Sequence, residues 1–297
     1  MWPLITEDVW FPERPSIGRE GHKAVVRIIP TRREGEPNAL RGATIVATCL
    51  GGFALRIRGK AVEPAQWGVY NGGCNRVVGV MAYLIAHRYQ PIPRERLIDI
   101  FWEQVDGDRA SQSLDRTISA LRRVLEPSLQ KYQQSAYIVG PRGGYRFADG
   151  VDIAVDAEEF ISRYKQAVDV ERLHGIASAA PLYHQAEMIY AGPFMDGVPY
   201  AELWCHHERQ LLADYHRAAL TKLAHYARLS RDFDRVTSYV HRILGEYGCQ
   251  REVCRWLLDA YSEEGAAIAA QRHVEHCPYK QRLPNSSCPD PYKSTRE

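Results

Sequence analysis

The chain has 297 residues, 45% hydrophobic and 25% charged, the balance of a water-soluble globular protein with room for two domains. No apolar run approaches the ~18 residues of a membrane span, the first residues lack the basic-then-apolar order of a signal peptide, and seven scattered cysteines do not make a disulfide framework, so a cytoplasmic protein with reduced thiols and no membrane partner is expected. The net charge of +2 is unevenly spread: residues 1–42 carry +1, residues 43–150 carry +5 (14 basic, 9 acidic) and residues 151–297 carry −4 (17 basic, 21 acidic), which suits different partners for the two halves.

Residues 1–42 are rich in proline and glycine without sustained periodicity and read as a flexible N-terminal arm, with at most a short strand at 24–29. From 43 the pattern changes. Residues 44–50 are β-branched and apolar, Gly51-Gly52 turns the chain, and residues 53–58 alternate, with Phe53, Leu55 and Ile57 on one face and Arg56 and Arg58 on the other. With a turn at Gly59-Lys60 this predicts a small antiparallel sheet. Residues 75–88 place Val77, Val78, Met81, Leu84 and Ile85 on one helical stripe, stopped by Pro91 and Pro93. Pro93 suits the first turn of a second helix over 93–102, which carries Leu97, Ile98, Phe101 and Trp102. A polar turn, 103–109, leads into a third helix over 110–125, which Pro127 ends. Residues 137–139 and 145–147 flank Pro141-Arg142-Gly143-Gly144 as a β-hairpin.

Beyond Val151 no strand is expected. Helices are expected at 157–168, 176–190, 200–229, 233–247, 251–262 and 266–276. Leu223/Leu257, Ala227/Tyr261, Val236/Ala270 and Val240/Val274 match in character at an offset of 34, the tetratricopeptide helix-pair spacing. A plain helical bundle fits the same pattern. The tail, 278–297, is polar and expected to be disordered.

The third helix carries the chemistry. At 100° per residue, Leu114, Ile118, Leu121 and Leu125 fall within ~60° of one another. Gln112, Arg116, Ser119 and Arg123 face the opposite way, flanked by Asp115 and Arg122. Arginine can bond guanine O6 and N7 in a bidentate way, glutamine can do the same to adenine, and serine suits a base edge or a phosphate. Arg122 and Arg146 are candidate phosphate contacts. Arg142, beside two glycines at the hairpin tip, is the candidate for a narrow, electronegative minor groove. Arginines at a helix C-terminus also complement its dipole without any ligand, but a preceding helix and a following basic hairpin are the order in which a helix–turn–helix meets DNA. Trp67, Tyr70 and Tyr89 could stack a base, though core packing accounts for them more simply.

Other constellations are weaker. His206-His207-Glu208 and His273-x-x-His276-Cys277 fit no standard zinc spacing, so no metal is expected. The phosphate-binding, nucleophile-elbow and metalloprotease motifs are absent, so neither a catalytic residue nor a cofactor is expected, and the protein is read as not an enzyme.

Residues 44–148 resemble the winged-helix effector domain of OmpR-type response regulators. The likeness rests on Leu50-Gly51-Gly52-Phe53, on Arg94-Glu95-Arg96-Leu97-Ile98-Asp99-Ile100-Phe101-Trp102, on Ser113 through Leu125, and on Gly143-Gly144-Tyr145-Arg146-Phe147. Asp156 through Phe160, and Trp204 with Glu208-Arg209-Gln210-Leu211, resemble the bacterial transcriptional activator domain that follows such winged helices in SARP-type regulators. The resemblance implies an α+β winged helix-turn-helix domain (43–150) followed by an all-α tetratricopeptide-like helical domain (151–277). It further implies an activator that binds double-stranded promoter DNA as a homodimer and recruits RNA polymerase holoenzyme. Two departures stand out: Gly79 lies where the family carries leucines, and the polar tail begins where the family continues with another helix. The rival reading is a protein-interaction scaffold whose winged helix no longer binds DNA.

Overall fold

The computed structural model describes residues 43–67, 73–140 and 144–277, which form two compact units. The expected arm at 1–42 and tail at 278–297, with Tyr70 and Arg142, lie outside the described residues. The first unit holds the described residues up to Asp156 together with a returning segment, Gly192–Arg209. The second holds Ala157–Ala191 and the described residues from Gln210 onward.

The first unit opens on β1 (Ile45–Thr48), β2 (Ala54–Ile57) and β3 (Lys60–Ala61), paired antiparallel in turn. Gly51 at φ 77° and Gly59 at φ 78° take the left-handed turns between them, which cost glycine little. Phe53 and Leu55 are buried as their alternation predicts, while Ile57 is only half covered.

After a short 3-10 turn at Pro64–Trp67 come α1 (Gly73–Ala86), β4 (Ile92–Pro93), α2 (Arg94–Phe101) and α3 (Gly107–Leu125). Every residue of α1 from Val77 to Ile85 is buried, so the helix is covered all round rather than along one stripe. Pro93 sits just ahead of α2, in β4, instead of inside the first helical turn. The third helix begins at Gly107, taking in part of the expected turn, and Asp108 in its first turn complements the helix dipole. Leu114, Ile118, Leu121 and Leu125 are buried as a seam, joined by Ala110, Thr117 and Val124. Each large aliphatic side chain so covered contributes roughly 1.5–3 kcal/mol, which fixes the rotation of the helix and therefore its outward face. β5 (Ile138–Val139) and β6 (Gly144–Phe147) form the expected antiparallel hairpin, and β4 pairs with the other edge of β6.

One further strand, β7 (Ile153–Val155), lies parallel to β1, with Ile45 opposite Ile153 and Ala47 opposite Val155. This corrects the expectation that strands end at Val151. Three residues are too few for a period of two to register, and the partner strand lies far away in the chain. With neighbours on both edges, β1 is buried on both faces.

The returning segment completes this end of the sheet. The Gly51 amide donates to Pro193 O at 3.0 Å, the Met195 amide donates to Cys49 O at 2.8 Å, and Phe194 bridges to Leu50 and Gly52. The buried Asp156 carboxylate accepts from the amides of Cys49 at 2.7 Å and Leu50 at 3.1 Å. Tyr200 and Trp204 set their rings edge-on to Phe101 and Tyr83, with centroids 5.3 and 5.1 Å apart. Gly79 is what allows this approach: a Cβ there would meet Pro199 O at 2.8 Å and the Phe101 ring at 3.0 Å. Arg209 holds the segment to itself, donating to Phe194 O at 3.0 Å, to Met195 O at 3.3 Å and to Glu202 at 2.7 Å. A linear division between 150 and 151 therefore differs from the observed units, because Trp204 and Arg209, read from the sequence as marks of the helical half, pack in the first. The helix expected at 200–229 is correspondingly broken: Ala201–Leu203 is a 3-10 turn, entered through Tyr200 at φ 65°.

The second unit is built from α4 (Asp156–His174), α5 (Ile176–Ile189), α6 (His206–Leu229), α7 (Phe233–Tyr247), α8 (Arg251–Glu263) and α9 (Ala267–His276), counting the parts of α4 and α6 that belong to it. Ala167, Ala179, Tyr183, Ala219 and Leu223 make one core cluster. Leu220, Val236, Val240, Ile243, Trp256 and Leu257 belong to a second. Between α4, α5 and α6, Glu171 accepts from Tyr183 Oη and Lys222 Nζ, both at 2.6 Å. Burial pushes this carboxyl up, but the two hydrogen bonds outweigh it and hold the group below its usual range. The 34-residue offset relates α6 to α8 and α7 to α9, and Leu223 and Leu257 are both buried. The repeat fades at its end, since α9 buries none of its residues.

Candidate nucleic-acid interface

The outward face of α3 is fixed by its buried seam. Gln112, Arg116, Ser119 and Arg123 are all exposed. Among the described residues, the side chains of Gln112, Arg116 and Arg123 take part in no hydrogen bond or ion pair, so their donors are unspent. Ser119 Oγ donates back to Asp115 O at 2.8 Å, leaving its oxygen as an acceptor. Asp115, an acidic group on a basic face, is held by Arg94, whose guanidinium lies 2.6 Å from its Oδ1.

That pair belongs to a network that joins α2, α3 and β6. Arg94 also donates to Ser111 Oγ at 2.9 Å and to the Tyr145 hydroxyl, and the hydroxyl donates to Asp115 Oδ1 at 3.2 Å. Burial pushes the Tyr145 hydroxyl up from its ordinary range, so it stays a neutral donor. In the sequence, Asp115 is visible only as a flank of the outward face of α3, and Arg94 and Tyr145 only as letters of a resemblance. Nothing in local periodicity shows that their side chains meet.

The two arginines expected at phosphates have partners of their own. Arg122 is half-buried and its Nε donates to Ile138 O at 3.1 Å, tying the end of α3 to β5. The Arg146 guanidinium donates to both carboxylate oxygens of Asp149, at 2.6 and 3.1 Å. Arg142 lies outside the described residues. Close approach of strands explains the glycine at the start of β6, where a Cβ on Gly144 would meet Ile92 O at 2.8 Å.

Between α3 and the hairpin runs a groove of about 990 Å³, lined by Ser119, Arg122, Arg123, Arg146 and the loop from Leu129 to Ser135. Lys131 and Tyr132 stand exposed on that loop, and the Lys131 ammonium lies 5.0 Å from the Tyr132 ring centre. Neither is singled out in the sequence; the polar run Gln130-Lys131-Tyr132-Gln133-Gln134, beyond the end of α3 at Leu125, is the available signal. Of the aromatic candidates, Trp67 packs against Phe53 at 6.3 Å as a core residue, whereas Tyr89 is exposed beside Arg88. No described helix is long and apolar enough to cross a membrane.

Residues 75–147 match the family described as "Transcriptional regulatory protein, C terminal". Among solved structures, the chain is similar in fold to Mycobacterium tuberculosis EmbR, determined in complex with a low affinity phosphopeptide. The TM-score is 0.59 at 18% identity, over 78% of this chain and 58% of that one. The chain thus spans less than two thirds of that structure. No protein of curated function matches the sequence at a significant level. The fold class expected from the sequence, a winged helix followed by a helical region, is borne out.

Proposed function

We propose that this protein binds promoter DNA sequence-specifically and activates transcription there, a reading supported by the match of residues 75–147 to the C-terminal domain of transcriptional regulatory proteins. The observation that carries the reading is the exposed face of α3, on which the side chains of Gln112, Arg116 and Arg123 have no partner. Arg116 and Gln112 would bond base edges in the major groove, with Arg123 and Ser119 alongside. Arg122 and Arg146 would meet phosphates while bracing the hairpin, Lys131 would add a backbone contact from the loop, and Arg142 would enter the minor groove. Two copies on DNA, with the helical unit contacting RNA polymerase holoenzyme, complete the proposal. A cytoplasmic location and a role without catalysis or cofactor follow from it.

Titration of the full chain against cognate duplex at several salt concentrations tests this. A phosphate-contacting protein loses affinity linearly with log salt concentration. Arg116→Ala is expected to cost ~1–3 kcal/mol at cognate DNA and to relax specificity at one position. Unchanged cognate affinity in Arg116→Ala would refute the assignment of the reading face. Absence of salt-dependent binding would favour the protein-interaction scaffold.

A further inference from the structure

Helix α9 is held by little apolar packing: Ala269 and Ala270 lie partly buried against the α7–α8 core. None of its ten residues is buried, yet Cys277, immediately after it, is only 3% exposed. Its sulfur lies among two others. Cys277 Sγ is 3.5 Å from Cys249 Sγ and 3.7 Å from Cys254 Sγ, and those two are 2.8 Å apart. Cys249 sits between α7 and α8, and Cys254 sits in α8 near its start. Three separate positions thus deliver one thiol each to one point. Among the described residues this is the group of metal-ligating side chains that converges, and neither His273 nor His276 is part of it.

Three sulfur donors with no carboxylate select against hard cations and for soft, thiophilic ones. A metal–sulfur bond of ~2.3 Å requires the three sulfurs to stand ~4 Å apart around a central ion, so the observed spacing needs to open by only a fraction of an ångström to about one. We propose that Cys249, Cys254 and Cys277 form a three-thiolate site for a soft metal ion of the Cu+, Zn2+ or Cd2+ class. Each ligating thiol releases its proton to solvent and no electron is transferred. A solvent molecule or a fourth donor completes the shell for an ion that prefers four ligands. The binding free energy then becomes folding free energy, because the ion clips the C-terminal end of α9 to the start of α8. The expectation from sequence that no metal binds rested on His/Cys spacing, which cannot show that residues 249, 254 and 277 meet.

The test uses the full chain, reduced and purified without oxygen. Titration with Cd2+ should give a saturable thiolate-to-cadmium charge-transfer band at one ion per chain; Cu+ should displace the Cd2+, and Cd2+ should displace prebound Zn2+. The band should be lost in Cys277→Ser and Cys254→Ser but kept in Cys49→Ser and His273→Ala. Amide exchange across α9 should slow by about tenfold or more on binding. Should Cys254→Ser fail to fold, the half-exposed Cys249→Ser decides instead. A band that persists in Cys277→Ser, or no saturable binding of Cd2+, Zn2+ or Cu+, overturns the proposal. So does a Cys249–Cys254 disulfide in protein alkylated on isolation, if no ion binds after its reduction.

Discussion

Gly79→Ala separates two effects of opposite sign. Inside a helix, alanine is favoured over glycine by ~1 kcal/mol on propensity alone, so a helix with open space on that side would be stabilised. At position 79 the new methyl group would stand 2.8 Å from the Pro199 carbonyl oxygen and 3.0 Å from a Phe101 ring carbon. The first neighbour is backbone and cannot rotate away, and the second is a buried ring with Tyr200 packed on it. Overfilling a packed site costs ~1–3 kcal/mol. Because the closest neighbour is backbone, the cost should fall toward the top of that range, and set against the propensity gain the expected outcome is a net loss of up to roughly 2 kcal/mol. It should be localised, with the returning segment lifting away from α1. Denaturant unfolding of the full chain, followed through tryptophan fluorescence, measures the loss. Hydrogen exchange over 199–205 shows where it falls, and should show faster exchange there than in α7. A raised unfolding midpoint in Gly79→Ala would refute the reasoning, since that is what propensity without the clash predicts.

Asp156→Ala strands two buried amides, those of Cys49 and Leu50. At ~1–3 kcal/mol each it should cost ~2–6 kcal/mol in the same unfolding measurement, with Asp156→Asn recovering part because it keeps one acceptor. Tyr145→Phe removes the hydroxyl that links Arg94 to Asp115; it should cost ~1 kcal/mol of stability and weaken duplex binding with the salt slope unchanged, and full affinity in this variant would mean the hairpin is positioned by other contacts. His216 is fully buried, stacked on Tyr190 at 4.0 Å, with the Tyr247 hydroxyl 2.5 Å from Nδ1, Glu246 Oε2 at 3.4 Å and the Arg242 charge nearby. Burial first, and Arg242 second, pull its pKa down from 6.5 to about 3. The unfolded chain therefore takes the proton first, and stability present above pH 6.5 is lost as the pH falls toward 3. His216→Phe should make that acid limb shallower by up to ~1.4 kcal/mol per pH unit, read from denaturation midpoints between pH 7 and pH 4; an unchanged limb would place the titrating group elsewhere.

What was legible from the sequence is what one element decides by itself. The rotation of α3 follows from four aliphatic residues at helical spacing, so both its buried seam and its exposed Gln112–Arg123 face could be read without a structure. The hairpin was legible for the same reason, because glycine and proline punctuate it locally. What escaped depends on residues that meet only after the chain returns. β7 is three residues long, and it is a strand because β1 lies beside it. Asp156 reads as the start of a helix, yet its carboxylate completes amides near the beginning of the sheet. Gly79 looks like a flaw in an apolar helix until Pro199 arrives against it. The same logic reassigns the letters on which the family resemblance rests. Arg94, Asp115 and Tyr145 come from three motifs that look independent along the chain, and in the fold they form one hydrogen-bonded group. That group neutralises the acid on the outward face of α3 and holds β6 against it. The outward face of α3, proposed to read DNA, therefore depends on residues outside it, and if Arg116 contacts DNA as proposed, its contribution should shrink when Arg94 is replaced.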